Sequence, residues 1–262
     1  MQTELYLDEQ QLTALPDTVA AQTQLVTLSA FRNQLTTLPA WLWTLGELRL
    51  LNLGENRLQT VAEDIRALRH LHTLDLGHNQ LTALPDALGD LEGLTRFLYL
   101  GHNRLASLGG GVTRLAALRY LNVADNRLDA LPESIGAMAR LRELRVQGNR
   151  LPGLPASLGR LAELRELHLT GNRITSLPEA VGSLRELRHL DLRANALHEL
   201  PESVGMLREL RHLDLRANAL RELPDVLATL PRLEKLDLRW NRGLRLPGWL
   251  ADLEARGCTV LS

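Results

Sequence analysis

Leucines recur along this chain in a fixed frame that changes period partway through. Around Asn172 it reads Leu164-x-x-Leu167-x-Leu169-x-x-Asn172-x-Ile174-x-x-Leu177-Pro178. The Leu-x-Leu alternation is the period-2 signature of a half-buried strand. It directs Leu167 and Leu169 inward and Glu166, His168 and Thr170 outward. The same frame surrounds Asn33, Asn56, Asn79, Asn103, Asn126, Asn149, Asn172, Asn195, Asn218 and Asn241, each 23 residues from the last except for one step of 24 before Asn103. Gln10 holds the equivalent place in a first unit, so eleven units fill residues 1–246. A fixed period in this range signals a solenoid. Each unit has too few inward apolar positions to offset the ordering of its own backbone, so the stack stands through neighbour interfaces.

The asparagines have a physical reason. An amide carries both donors and acceptors, and at strand spacing of roughly 4.8 Å stacked amides can satisfy backbone groups where each strand bends away. The second half of most units opens on proline, at Pro39, Pro85, Pro132, Pro155, Pro178, Pro201, Pro224 and Pro247. Proline suits the first helical position. Asp86, Glu133, Glu179, Glu202 and Asp225 follow directly and complement a helix dipole. The spacing predicts helices of one or two turns.

The motif LxxLxLxxNxL, continued by LPxxLGxLxxL, resembles the leucine-rich repeat family, and is similar to its 23-residue, intracellular Ras-suppressor-like and bacterial type. The resemblance covers residues 5 to about 246. It implies an α/β solenoid: a right-handed horseshoe with a parallel β-sheet on the concave face and short helical turns on the convex face. It also implies a non-enzymatic scaffold that binds a protein or peptide partner on the concave face. The alternative within the same resemblance is the substrate-recruiting part of a larger enzyme or bacterial effector, ligase-like or kinase-linked. Extracellular members carry cysteine-rich caps, which this sequence lacks.

Some stretches depart from the frame. Val61-Ala62 replaces Leu-Pro in the third unit, and the fifth has an extra residue near Arg96-Phe97. Gly109-Gly110-Gly111 then stands where a proline turn is expected, which predicts an irregular, mobile loop because glycine weakens a helix. It lacks the Lys-Ser/Thr and strand-to-helix setting of a phosphate loop. Residues 247–262 read as a C-terminal cap: a short helix stopped by Gly257, then a strand, with Trp249 and Leu253 covering the last layer. Met1 to Glu4 leave little room for an N-terminal cap, so the chain reads as trimmed from something longer, or else its polar first unit caps itself.

Composition narrows the function. A net charge of −1 and a pI near 6.7 give no electrostatic footprint for nucleic acid. No stretch reads as a signal peptide or membrane span, and one cysteine excludes a disulfide framework. These features point to the cytosol, or to a host cytosol after specialised secretion.

Function is then read from the outward columns, at six, four and two residues before each asparagine. Toward the N-terminus these carry Phe31, Leu50, Phe97, Tyr99, Tyr120 and Asn122 beside small Gly54, Gly77, Gly101 and Ala124; with Tyr6, the columns hold every Phe and Tyr in the protein. Aromatic anchors beside small residues suit a protein partner, although the extra residue near Phe97 leaves open that its ring turns inward. Toward the C-terminus the columns turn charged: Glu143 and Arg145, Glu166 and His168, then His189-x-Asp191-x-Arg193, His212-x-Asp214-x-Arg216 and Lys235-x-Asp237-x-Arg239. This is either a self-paired lattice or a charged docking surface that sets partner register, with Trp240 as an anchor at its rim. His168, His189 and His212 with Asp191 and Asp214 could share a zinc ion. Residues 184–201 and 207–224 differ only at His198 against Arg221, so duplication, or partial consensus design, made these pairs together; Arg193 and Arg216 are placed to engage both carboxylates, and neither a metal nor another cofactor is expected. No motif sets a nucleophile beside a base, and catalytic residues are not expected.

Overall fold

The computed structural model describes residues 3–262; Met1 and Gln2, the start of the short N-terminal stretch, lie outside the described residues. Two compact units, Met1–Arg127 and Leu128–Ser262, are built on one plan.

In the first unit the strands are β1 (Glu4–Tyr6), β2 (Thr27–Ser29), β3 (Leu50–Asn52), β4 (Thr73–Asp75), β5 (Phe97–Tyr99) and β6 (Tyr120–Asn122). Each pairs in parallel with the next. In the second they are β7 (Glu143–Arg145), β8 (Glu166–His168), β9 (His189–Asp191), β10 (His212–Asp214), β11 (Lys235–Asp237) and β12 (Thr259–Leu261), paired in the same way. Every strand is three residues long. From β2 to β11 its middle residue is a buried leucine, so the two flanking residues face outward, as the period-2 alternation requires.

The asparagines tie successive coils together. Asn56 Nδ2 donates to the carbonyls of Leu53 and Gly54 in its own turn and of Ala30 in the preceding coil, at 2.9–3.1 Å. Its Oδ1 accepts from the backbone N–H of Leu35, also in the preceding coil, at 3.0 Å. Asn103 and Asn195 repeat the pattern within their own units. With Asn103 at 8% exposure, these bonds complete groups that would otherwise be buried and unpaired. The residue just before the asparagine is held left-handed, as at His78 (φ 53) and Trp240 (φ 64); glycine fills that place at Gly148 and Gly171, where it is free of strain.

The helical side is made of short 3-10 helices such as Asp86–Asp90 and Glu133–Ala137. Proline is not their first helical residue. Pro85 and Pro132 sit one position earlier in extended conformation (ψ 140 and 150), where their carbonyls accept the first helical bonds from Leu88 and Ile135. Consecutive helices approach closely enough to demand glycine: a Cβ on Gly159 would lie 2.5 Å from the Ala180 carbonyl oxygen.

Two irregular stretches differ from the sequence reading. Gly109–Thr113 is an α-helix, α1, and not an irregular loop. It packs so near the preceding turn that a Cβ on Gly111 would meet the Asp86 carbonyl at 2.5 Å, and Arg114 binds Asp86 and Asp90 at 3.0 and 3.3 Å. Close packing therefore replaces the propensity that glycine lacks. The extra residue falls at Thr95-Arg96. In a regular coil one carbonyl, such as that of Arg49, accepts from two successive N–H groups, those of His72 and Thr73. Here Thr95 and Arg96 each accept one, from Arg119 and Tyr120. At the C-terminus α2 (Leu250–Ala255) ends at Gly257, φ 91. Leu250 and Leu253 are its buried residues; Trp249 is half-buried and donates its indole N–H to Asp225 at 2.9 Å.

Candidate functional site

On the first unit's outward face, β5 and β6 bring three rings together. Phe97 lies 5.9 Å from Tyr99 and 5.5 Å from Tyr120, and the two tyrosines are 5.0 Å apart, centroid to centroid. Phe97 turns outward, at 40% exposure; because the extra residue precedes it, Phe97 still pairs with Thr73 and keeps its place in the column. Leu50 is half-buried on β3, with Thr73 between it and Phe97 in register. Phe31 is half-buried beyond β2, outside this cluster. Asn122 is spent locally, its Oδ1 accepting from the Ala124 N–H at 3.0 Å. Asn52 and Asp75 do the same for Gly54 and Gly77 at 3.0 and 2.8 Å. Burial raises the Asp75 carboxyl above its ordinary range, outweighing the Gly77 hydrogen bond.

The second unit's face is a charged lattice. On β7 Arg145 pairs with Glu143 at 2.5 Å, and on β8 His168 Nε2 lies 3.1 Å from Glu166 Oε2. Arg216 grips Asp214 through both carboxylate oxygens and reaches Asp237 at 3.3 Å. Asp237, at 1% exposure, is also held by Arg239 at 2.7 Å. Burial alone would raise the Asp237 carboxyl, but hydrogen bonds from Arg239 and the nearby Arg216 charge hold it below the usual carboxylate range. Trp240 is 67% exposed with Arg239 over its ring at 5.7 Å. Burial first, then the adjacent His168 and His212, lowers the His189 imidazole. Asp191 breaks the expected pattern: it accepts from the Arg193 backbone N–H at 3.0 Å, and among the described residues no arginine side chain hydrogen-bonds it. Cys258 is buried, and burial pushes its thiol up, the reverse of what a nucleophile needs.

Residues 47–105 and 96–151 match the family model described as leucine rich repeat, and residues 156–255 match the leucine-rich repeat region model. The chain belongs to the leucine-rich repeat proteins. A solved TDR receptor shares 25% identity with this leucine-rich repeat chain at a TM-score of 0.88, over 99% of this chain and 46% of the receptor. The plant peptide hormone receptor RGFR1 in complex with RGF2 is 25% identical at a TM-score of 0.81, over 98% and 47%. An LRR protein of Leptospira interrogans is 26% identical at a TM-score of 0.58, over 95% and 81%. The chain thus spans under half the length of the two receptors. No curated protein matches it. Among the described residues, no helix is long and apolar enough to cross a membrane.

The leucine-rich repeat frame located the outward columns but did not say which side chains in them are already engaged. The carboxamide and carboxylate bonds to the N–H two residues on were missed. Their sequence signal, Asn or Asp four places before the ladder asparagine, is visible in retrospect, since short polar side chains bond their own backbone two residues on.

Proposed function

We propose that this leucine-rich repeat protein is a non-enzymatic scaffold that holds a protein or peptide partner across the outward face of its strands. The ring cluster of Phe97, Tyr99 and Tyr120 carries the reading. Three aromatics gathered on one outward face, beside the low column of Gly54, Gly77, Gly101 and Ala124, form an anchor of the kind that dominates protein interfaces. A peptide-bound receptor among the solved relatives supports the same class of partner. Leu50 extends the apolar row along the column, while Arg145 and the charged lattice of the second unit supply a polar surface that selects partners by charge. The lone cysteine suits a reducing compartment, and a cytosolic address is part of the proposal.

The test is selection of a displayed peptide library on the wild-type chain, followed by binding of the enriched peptides to a Phe97→Ala/Tyr99→Ala/Tyr120→Ala variant. Affinity should fall by at least about tenfold, the loss of one anchor ring's worth of contact, while circular dichroism stays unchanged. Equal affinity for both proteins would remove the aromatic face from the binding site.

A further inference from the structure

The outward face of β8 and β9, part of the charged lattice, carries an arrangement with a chemistry of its own. Glu166 and His168 face outward on β8, and His189 and Asp191 face outward on β9. The register sets Glu166 opposite His189 and His168 opposite Asp191, so the imidazoles take one diagonal of a square and the carboxylates the other. One ligand atom from each of His168, His189 and Asp191 lies within 4.8 Å of the other two, and the His168 and His189 ring centroids are 5.2 Å apart. All three side chains are half-buried.

We propose that His168, His189 and Asp191 form a binding site for a divalent transition-metal ion, with Zn²⁺ the ion their donor set suits. Two imidazoles and one carboxylate are a recurrent three-ligand zinc set that leaves a fourth position for water or substrate. Tetrahedral coordination at about 2.0–2.2 Å per bond needs donors roughly 3.3–3.6 Å apart, and side-chain rotations of about an ångström close the present spacing to that value. Glu166, 3.1 Å from His168 Nε2, orients that ring as carboxylates orient metal-bound histidines elsewhere.

The adjacent coil shows why the site is here and not one strand along. His212 and Asp214 repeat the His-x-Asp of β9, yet the Asp214 carboxylate is gripped through both oxygens by the Arg216 guanidinium. Among the described residues Asp191 accepts a hydrogen bond only from a backbone N–H, on Oδ1, which leaves Oδ2 for a cation. β9 and β10 carry two copies of one motif, and the arginine closes one of them.

Titration of the tag-free, metal-free protein with zinc chloride in a calorimeter tests this. One ion per chain should bind with micromolar affinity. His189→Ala and Asp191→Asn should abolish the heat, Glu166→Gln should weaken binding about tenfold, and His212→Ala should leave it unchanged. His189→Gln, which keeps a polar side chain, replaces the alanine variant if that one fails to fold by circular dichroism. Cobalt(II) should give the visible bands of nitrogen and oxygen ligation without a thiolate charge-transfer band, which excludes Cys258. The absence of saturable heat overturns the assignment. So does saturable heat that persists in Asp191→Asn, or that is lost in His212→Ala.

Discussion

The outward faces of the two units pose the same backbone problem and solve it with different side chains. In the first unit the strand ends are completed by two amides and one carboxylate, Asn52, Asn122 and Asp75, each accepting the N–H two residues on. That leaves the rings of Phe97, Tyr99 and Tyr120 to define the surface. In the second unit Asp191, Asp214 and Asp237 perform the same local service, but all three are carboxylates, and Asp214 and Asp237 are paired with Arg216 and Arg239. One face is therefore dominated by aromatic area and the other by a paired lattice, although both rest on the same three-residue strands. The comparison teaches that the repeat fixes where a side chain points, while its neighbours fix whether it is available.

The sharpest break in this comparison comes from the shared ladder. Asn103→Ala removes a buried amide, strands the Leu81 N–H, and leaves the Leu76 and Leu100 carbonyls to Asn79 and Asn126; it should cost about 2–3 kcal/mol. Asn241, half-buried near the C-terminal end, has water as a substitute partner, and Asn241→Ala should cost about 1 kcal/mol. Urea unfolding followed by far-UV circular dichroism measures both, and equal losses would mean that burial does not grade the ladder. Next in size is the helical side. Gly159→Ala drives a Cβ into the Ala180 carbonyl and should cost roughly 1–3 kcal/mol. Gly46 in the first unit has nothing within 4 Å of its Cβ position, so Gly46→Ala should change stability by less than about 1 kcal/mol.

The smallest effect separates the two carboxylates by sign. Asp237 has a depressed folded-state pKa, so its contribution is present above its unfolded value near 3.8 and is lost as pH falls below it. Asp75 has a raised one; the folded state holds its proton longer, so its charge detracts from stability as pH rises through and above 3.8. Asp237→Asn should therefore destabilise at pH 7 and flatten the acid limb of a stability profile. Asp75→Asn, which restores the asparagine that β3 and β6 carry at this place, should be neutral or stabilising at pH 7. Thermal melts from pH 3 to pH 7 distinguish the two, and the same sign for both would collapse the contrast.

The leucine frame, the strand positions and the linking asparagines were legible in the sequence because each follows from backbone geometry that recurs with every coil. Whether a polar side chain is engaged was not legible. Arg193 and Arg216 occupy nearly identical sequence contexts, and each has an aspartate on the following strand, Asp214 and Asp237, yet Asp214 is already held by Arg216, which also reaches Asp237. Proline's place just outside the helix, and α1 where three glycines discourage a helix, were misread for a common reason. Local propensity was weighed there without the partners that decide it: the helix's own first N–H for the proline carbonyl, and the close-packed Asp86 turn for α1.

The ladder's bonds also have a direction. The N–H of Leu35 waits for Asn56, that of Leu58 for Asn79 and that of Ile174 for Asn195, each acceptor lying 21 residues later in the chain. A coil leaving the ribosome therefore stays open at its bend until most of the next one has been translated, so the growing tip of the nascent protein always trails one unfinished turn.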